Sequence, residues 1–337
     1  MDIQSAIKAV IAGQDLSRDE MKSIMQQIMT GECTPSQIGG FLVGLRIKGE
    51  TVDEISAAAQ VMRELATRVE VSGEHLVDTA GTGGDASVSF NISTASAIVA
   101  AGAGATVAKH GNRSMTSNSG SADVLEAAGV KLDISAEKVG QCIDEVGVGF
   151  MFAPAHHGAM KHAIGPRKEM AVRTIFNVLG PLTNPAGAPN QVIGVFDGEL
   201  VEPMAKVLQQ LGSRHVMVVH AEDGMDEISI SAPTKVAELK DGEVTTYTIT
   251  PADFGVETAS ADSLKVDSAE ASLARIREVF ADTPGPARDI VCLNAGAAIY
   301  VSGLADSHQA GVEAARAALA NGKAAEVLQN LVTRSNA

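Results

Sequence analysis

Apolar side chains recur at helical spacing through the first seventy residues, and residues that favour helix starts precede them. Residues 17–20 and 51–54 each run from Ser or Thr to Glu, the spacing of a capping box. Thr34 precedes Pro35, and proline favours the first turn of a helix, while Gly49 suits the end of that helix. The pattern predicts four short helices without an intervening strand, and therefore a small helical subdomain.

The pattern changes after residue 75, where short apolar runs alternate with helical segments. Strands are predicted at 76–78, 105–108, 191–196 and 215–220. Helices are predicted at 93–101, 200–211, 269–281 and 309–320. A further helix is predicted to open at Pro166 and Arg167 and to run to about Leu179. Strand, helix and strand in succession form a βαβ unit, so the chain is expected to be an α/β protein with a mostly parallel sheet.

Composition and charge narrow the class of protein. A chain of 337 residues with 45% hydrophobic residues is long and apolar enough for about two globular domains. Its net charge of -15 disfavours nucleic acid and anionic membranes as partners, so an anionic substrate needs a local basic site. Three widely spaced cysteines and no recognisable signal peptide favour a cytoplasmic protein without a zinc site. The most apolar stretch, 95–108, is too short to cross a bilayer.

A glycine-rich loop, Gly81-Thr82-Gly83-Gly84-Asp85, stands where a predicted strand gives way to a helix. Backbone N–H groups in such a loop bind anions, although an ordinary tight turn has the same composition. The loop also fits the loose pattern of a dinucleotide-binding turn, which needs an acidic residue after the next strand. Lys109 and His110 stand there instead, so a dinucleotide is not expected, and no Walker A pattern is present.

Two polar segments follow this loop. Residues 91–94, Asn-Ile-Ser-Thr, suit either a helix cap or a site for phosphate and metal. Residues 109–114, Lys-His-Gly-Asn-Arg-Ser, concentrate positive charge in an otherwise acidic chain. A basic turn exposed to solvent would have a similar composition. Lys and Arg beside a glycine-rich loop nevertheless favour a site for a polyphosphate.

Acidic, histidine and arginine side chains complete the candidate chemistry. Asp226 and Glu227 follow the predicted strand 215–220 and offer the hard oxygen ligands that Mg²⁺ prefers, although isolated acidic turns of this kind are usually only exposed to solvent. The histidines at 156, 157 and 162 lack zinc spacing and favour packing or substrate contact. Arg167 is either a surface cation or a group that binds a carboxylate beside an aromatic pocket.

Together these segments closely resemble the anthranilate phosphoribosyltransferase family. The matching segments are residues 81–85, 91–94, 109–113, 173–182 and 226–227, and the likeness runs nearly end to end, as far as 293–297. Two positions depart from the usual family pattern. Gly158 stands where a proline is expected after the paired histidines, and Ser89 stands where a threonine is more frequent.

The resemblance implies a nucleoside phosphorylase-like phosphoribosyltransferase fold. Its small helical subdomain would comprise residues 1–70 joined by about 166–185, and its larger α/β domain, which binds phosphoribosyl pyrophosphate (PRPP), would comprise 71–165 and 186–337. It also implies a homodimer formed through the helical part, and anthranilate and PRPP as substrates.

The resemblance further implies the roles of individual residues. PRPP would be bound by Gly81, Gly84, Asp85, Ser89, Asn91, Ile92, Ser93, Thr94, Lys109, His110, Gly111, Asn112, Arg113, Ser114, Ser117 and Ser121. Anthranilate would be bound by Gly81, Asn112, His157 and Arg167. Mg²⁺ would be bound by Ser93, Asp226 and Glu227. No residue is assigned as a general acid or base, because an aryl amine is a usable nucleophile without one.

Two rival functions also agree with parts of the sequence. A pyrimidine nucleoside phosphorylase has a related fold and a similar basic segment, but Asp226, Glu227 and the segment 177–185 favour the transferase. A noncatalytic protein that binds nucleic acid should have a broad basic face, which the net charge of -15 disfavours.

Overall fold

Four helices form the amino-terminal part of the chain in a computed structural model that describes residues 1–83, 88–113 and 119–337. They are α1 (Ile3–Ile11), α2 (Arg18–Thr30), α3 (Pro35–Lys48) and α4 (Val52–Leu65). The caps of α2, α3 and α4 are complete capping boxes, in which Ser17, Thr34 and Thr51 each exchange hydrogen bonds with the residue three positions later. The predicted helical start of the chain is therefore confirmed.

Seven strands form one sheet, with the order β3-β2-β1-β4-β5-β6-β7. They are β1 (Leu76–Gly81), β2 (Thr106–Gly111), β3 (Val148–Phe152), β4 (Asn190–Gly194), β5 (His215–Ala221), β6 (Thr234–Lys240) and β7 (Glu243–Ile249). The first five strands in this order are parallel, whereas β6 and β7 extend the sheet as an antiparallel hairpin. The mostly parallel α/β sheet is confirmed.

Eleven further helices lie among and after these strands in the described part of the chain. They are α5 (Ile92–Gly102), α6 (Ser121–Ala127), α7 (Ala136–Val146), α8 (Ala153–His156), α9 (Lys161–Met170), α10 (Phe176–Leu179), α11 (Val201–Gln210), α12 (Ala269–Phe280), α13 (Pro286–Val301), α14 (His308–Ala320) and α15 (Lys323–Asn336). No helix in the described ranges is long and apolar enough to cross a membrane.

Alternating side chains of the strands divide the core between the two faces of the sheet. In β5, Met217 and Val219 belong to the cluster that packs with α5 and α12 to α15. Val216 and Val218 belong to the other cluster, which also contains α1 to α4 and α11. Because successive side chains of a strand point to opposite faces, one sheet supports both apolar layers.

The predicted helix beginning at Pro166 is wrong. Pro166 lies inside α9, which begins at Lys161 after a short 3-10 turn and ends at Met170. Ala171, the residue that caps this end, has a left-handed backbone with φ 51°, and its N–H bonds back to the carbonyl of Arg167. The prediction assumed the preference of proline for a first turn, but the preceding turn starts the helix five residues earlier. Phe176 begins a separate short helix.

Candidate active site

The site lies at the carboxyl ends of the central parallel strands β1 and β4. At this point the order in which strands are added to the sheet changes from one side to the other. After β1 the chain goes to β2 on one side, whereas β4 on the other side is followed by β5. Crevices at such switch points are where ligands bind in open α/β sheets. Gly81 and Gly194, the last residues of β1 and β4, are paired at this point.

Both glycines leave space for Asp226. A Cβ at Gly81 would lie 2.7 Å from the Asp226 Oδ2 atom, and a Cβ at Gly194 would overlap the carbonyl oxygen of Asp226. The Gly83 N–H donates to the same Oδ2 at 3.0 Å. Because both glycines lack a side chain, the acidic segment, residues 223–227, can lie directly over the ends of the two strands.

Lys109 provides a buried positive charge in this crevice. Its side chain is 2% exposed, and its Nζ donates to the Thr79 carbonyl at 2.6 Å and to the Ser93 Oγ at 3.2 Å. Burial lowers the pKa of Lys109, while Asp78, Glu227 and Asp226 act against that change. The predicted cation and the predicted acidic pair thus belong to one electrostatic site.

Asp78 is a buried carboxylate that the sequence analysis missed. Its Oδ1 accepts from the His110 N–H at 3.1 Å, and its Oδ2 accepts from the Asn184 Nδ2 at 2.7 Å. Burial raises the pKa of Asp78 to about 6, against the opposing effect of Lys109. Asn184 also donates to the Ala108 carbonyl at 2.8 Å. Together these bonds connect β1 to the residues around Lys109 on β2.

The start of α5 also lines the crevice. Asn91 is its N-cap, and its Oδ1 accepts from the Thr94 N–H at 3.0 Å, so the capping interpretation of this segment is confirmed. Ile92 is buried in the core, whereas Ser93 lines a small cleft together with Thr79, Gly194 and Glu227. The positive end of the helix therefore points toward this cleft, which favours anions there.

The acidic segment divides into residues with different surroundings. Asp223 accepts from the Met225 N–H at 3.2 Å and the Ser229 Oγ at 2.6 Å, and it also bonds the Ser231 Oγ. These contacts stabilise the turn itself. Asp226 contacts the glycine-rich strand ends, and Glu227 lines the cleft.

Two histidine rings lie together beside this region. The ring centroids of His110 and His157 are 5.1 Å apart. Burial and the neighbouring histidines lower the pKa of His110 to about 3 and that of His157 to about 4. Both rings are therefore neutral at pH 7. Both Nε2 atoms are buried, and neither has a hydrogen-bond partner among the described residues.

Three arginines have distinct positions. Arg167 lies 5.2 Å from the centre of the Phe176 ring, and burial lowers its pKa. Arg173 lies over the ring of Phe196 at 4.0 Å. Arg113 forms ion pairs with two carboxylates of α6, Asp123 at 2.9 Å and Glu126 at 2.8 Å. Arg113 thus fixes α6 against the end of β2, an interaction that the sequence analysis did not anticipate.

The remaining predicted residues lie around the same edge of the sheet or outside the described part of the chain. A Cβ at Gly111 would lie 3.1 Å from the Ser121 Oγ, which places Ser121 next to the end of β2. Asn112 is exposed after that strand, and Ser89 pairs with Lys265 in an isolated bridge. Gly84, Asp85, Ser114 and Ser117 fall outside the described residues.

The side-chain oxygen atoms at the crevice fit Mg²⁺ only if a bound substrate provides further ligands. Within residues 1–83, 88–113 and 119–337, no group of three or more His, Cys, Asp or Glu side chains could hold a metal by itself. Asp226, Glu227 and the Ser93 hydroxyl would offer oxygen atoms to such an ion, and Mg²⁺ is commonly bound by one or two carboxylates together with substrate phosphates.

Two family models match nearly the whole chain. The α/β domain of a glycosyl transferase family matches residues 73–325, and the helical bundle domain of a glycosyl transferase family matches residues 4–66. Two curated relatives are anthranilate phosphoribosyltransferases. The protein of Thioalkalivibrio sulfidiphilus is 68% identical over 333 residues, covering 99% of this chain and 98% of its own length. That of Cellvibrio japonicus is 61% identical, covering 98% of each chain.

Solved structures agree with these relatives. The anthranilate phosphoribosyltransferase of Thermus thermophilus is 43% identical, with a TM-score of 0.94, and the match covers 98% of this chain and 99% of that one. The enzyme of Saccharomyces cerevisiae in complex with PRPP and Mg is 25% identical, with a TM-score of 0.90, covering 99% and 98%. This chain belongs to the anthranilate phosphoribosyltransferase family.

Proposed function

We propose that this chain transfers the phosphoribosyl group of PRPP to the amine of anthranilate, as its family name implies. The products are N-(5-phosphoribosyl)anthranilate and pyrophosphate, in tryptophan biosynthesis. The observation that carries the proposal is the convergence of Lys109, Ser93, Asp226 and Glu227 on the glycine ends of β1 and β4. That arrangement supplies both signs of charge at a crevice shaped for a polyphosphate and its metal.

PRPP is assigned to the glycine loop, the start of α5 and the end of β2. Backbone N–H groups and the α5 dipole attract phosphate, and the Lys109 ammonium adds a full charge. The two carboxylates alone would repel PRPP, so a divalent cation between them and the phosphates accounts for their presence. Mg²⁺ bound by Asp226, Glu227 and Ser93 would neutralise charge on the departing pyrophosphate.

Anthranilate is assigned to His157 and Arg167, and Gly81 and Asn112 are assigned to contacts with both substrates. The guanidinium of Arg167 has no carboxylate partner in the described ranges, so it is available for the anthranilate carboxylate. A yeast relative has been solved in complex with 4-fluoroanthranilate, which agrees with a site for this class of compound in the fold.

The reaction on this chain is a displacement at the anomeric carbon. The anthranilate nitrogen forms a bond to that carbon as the bond to the pyrophosphate oxygen breaks, and the nitrogen, which is cationic after the attack, then loses a proton to water. Lys109 stabilises the negative charge that develops on the leaving group, and binding both substrates in fixed positions lowers the remaining barrier. The neutral rings of His110 and His157 avoid placing a positive charge beside the amine. No general base is required.

A homodimer is part of the proposal. Ile11 of α1 and Ile47 of α3 are 72% and 82% exposed, and Val43 is exposed beside them. A Cβ at Gly44 would lie 3.8 Å from the Ile11 Cγ1 atom, which places Ile11 beside the helix that carries Val43 and Ile47, and we take these three side chains together as one apolar patch on the helical part. Apolar patches of this kind often mark interfaces. The division into residues 1–70 with 166–185, and 71–165 with 186–337, also stays a prediction.

The experiment that tests the function follows the fluorescence of anthranilate with purified protein. We expect anthranilate to be consumed, and pyrophosphate released, only when PRPP and Mg²⁺ are both present. Phosphorolysis of thymidine or uridine without turnover of anthranilate would instead identify a pyrimidine nucleoside phosphorylase. A gel-shift assay at moderate salt should show no binding of nucleic acid, because the net charge is -15.

A further inference from the structure

Asn294 lies on α13, underneath the acidic segment, and belongs to none of the binding sets assigned above. Its side chain is 3% exposed and all three of its hydrogen bonds are 2.9 Å long. The Oδ1 accepts from the Ile228 N–H, and the Nδ2 donates to the carbonyls of Ile228 and Ile290. One amide side chain therefore binds both polar groups of a single backbone residue.

Ile228 is the residue directly after Glu227. Its side chain is buried in the same apolar cluster as α13, while its backbone is held by Asn294. Asn294 also lines the cleft that Glu227, Ser93 and Thr79 share. The position of the Glu227 backbone is therefore set from below by a helix of the core and not only by the turn that contains it.

The other member of the acidic pair is held from the opposite side. Gly81 and Gly194 leave the space that Asp226 occupies, and the Gly83 N–H binds its carboxylate. We infer that Asn294 is a positioning residue for the metal site, because it fixes Glu227 relative to Asp226 through the Ile228 backbone. This inference rests on the proposed function, in which the pair holds Mg²⁺ with PRPP.

The physical expectation follows from how metals are bound. A carboxylate that is free to move must be ordered when the metal binds, and losing a group that orients a metal ligand commonly costs about 10- to 100-fold in metal affinity. Asn294→Ala removes all three hydrogen bonds without touching either carboxylate. We therefore expect the Mg²⁺ concentration for half-maximal activity to rise by about tenfold or more, with full recovery at high Mg²⁺.

Asn190→Ala is the matched control. Asn190 is also a buried amide, and its Nδ2 donates to the Leu76 carbonyl at 2.9 Å, at the amino end of β4 and so away from the crevice. A purely structural effect should lower the melting temperature of both variants and leave both Mg²⁺ curves unchanged. A positioning effect should shift the Mg²⁺ curve of Asn294→Ala alone, without changing the KM for anthranilate.

A binding measurement provides a readout that does not depend on turnover. PRPP is titrated into the full chain in a calorimeter at several Mg²⁺ concentrations, without anthranilate. PRPP should bind Asn294→Ala more weakly than wild type at low Mg²⁺ and about equally at high Mg²⁺. Asn294→Leu, which keeps a similar volume without a charge but loses the Oδ1 acceptor and the Nδ2 donor, should behave in the same direction.

The following outcomes would overturn the role of Asn294 or the proposed function. A wild-type Mg²⁺ curve for Asn294→Ala overturns it, as does a loss of maximal rate that high Mg²⁺ does not restore. Failure of both Asn294 variants to fold while Asn190→Ala folds would assign Asn294 to the fold and also overturn it. If the wild-type chain itself needs no Mg²⁺, or if Asp226→Ala with Glu227→Ala leaves Mg²⁺ dependence intact, the proposed function fails instead.

Discussion

Three carboxylates within five residues illustrate how position decides the role of a side chain. Asp223 accepts bonds from its own turn, Asp226 contacts the glycine ends of the strands, and Glu227 lines the cleft with Ser93. The charge is the same in each case, but only the last two carboxylates lie against the crevice. The local sequence indicates acidic chemistry here, and the tertiary contacts decide which oxygens can reach a metal.

Arg167 is expected to determine the affinity for anthranilate. A hydrogen bond to a charged group contributes about 1.5–3 kcal/mol, roughly a ten- to hundredfold effect on affinity. Arg167→Ala should therefore raise the KM for anthranilate by about that factor and leave the KM for PRPP nearly unchanged. Arg167→Lys should restore only part of the loss, because an ammonium lacks the planar pair of donors. Saturation curves for both substrates provide the measurement.

The neighbouring Lys168, which is exposed on the same helix, is the control for this prediction. Lys168→Ala removes a positive charge nearby and should leave both KM values unchanged. If Arg167→Ala shifts the PRPP curve and spares the anthranilate curve, the anthranilate pocket lies elsewhere.

Because of His157, the free energy of unfolding of the chain should depend on pH. Its folded pKa of about 4 lies below the ordinary value of about 6.5, so the unfolded chain binds a proton that the folded chain does not. Between these two values the free energy of unfolding should fall with decreasing pH by about 1.4 kcal/mol per pH unit from this ring. His157→Gln should reduce the measured slope by about that amount.

Denaturant unfolding at pH 7.5, 6 and 5 checks this prediction. At pH 7.5 the ring is neutral in both states, so the slopes of wild type and variant should coincide there. Asp78 has the opposite sign, since burial raises its pKa to about 6, but it is present in both proteins and cancels in the comparison. Equal slopes between pH 6 and 5 would mean that His157 is charged in the folded chain.

At the scale of elements, the site depends on how closely the turn after β5 approaches β1 and β4. Gly194 has no space for a side chain, because a Cβ would overlap the Asp226 carbonyl oxygen. The sequence pattern predicts a strand over 191–196 but indicates no special role for Gly194. Glycine is required at position 194 because the strand contacts the acidic turn, and these two segments are distant in sequence.

Gly194→Ala should therefore displace the acidic turn. We expect PRPP binding in the presence of Mg²⁺ to weaken at least about tenfold, because a metal ligand moves away from its partners. In Gly40→Ala, the new Cβ would meet only the Ile7 Cδ1 at 3.9 Å, so this helical variant should bind PRPP normally. Calorimetry on both proteins measures the effect, and normal binding by Gly194→Ala would contradict the proposed metal site.

Local signals explain what the sequence predicted correctly. The capping residues of α2 to α4 act within four positions, so their helices were predictable from short segments. The hairpin of β6 and β7 was missed, although Asp241 and Gly242 at its turn both have positive φ and provide a known turn signal. The helix start predicted at Pro166 was wrong because the 3-10 turn before α9 has no clear signature in the sequence.

The same distinction applies to the candidate site. Gly81, Ser93 and Lys109 belong to recognisable local motifs and could be predicted. Asp78 and Asn294 act through contacts that span 106 and 66 residues of sequence. Neither stands in a segment with a charge or spacing pattern of its own, so only the folded chain identifies their partners.

At the scale of the whole molecule, one sheet connects two apolar layers with different tasks. The layer with α5 and α13 supports the crevice from below, through the α5 start and Asn294. The other layer joins α1 to α4 with α11 and the opposite face of β4 and β5. The helical part is thereby attached to the same strands that end in the crevice, while its outer surface carries the exposed patch of Ile11, Val43 and Ile47.

That patch should join two copies of the chain. Leaving three large apolar side chains exposed is unfavourable in water, and burying them against a second copy offsets the cost of association. Light scattering should give about twice the chain mass of 34.7 kDa. Ile47→Glu places a charge in the contact and should shift the mass toward one chain, whereas Leu304→Glu, an exposed apolar position at 38% exposure after α13, should not. A wild-type monomer at micromolar concentration, or a dimer unaffected by Ile47→Glu, would place the interface elsewhere or exclude it.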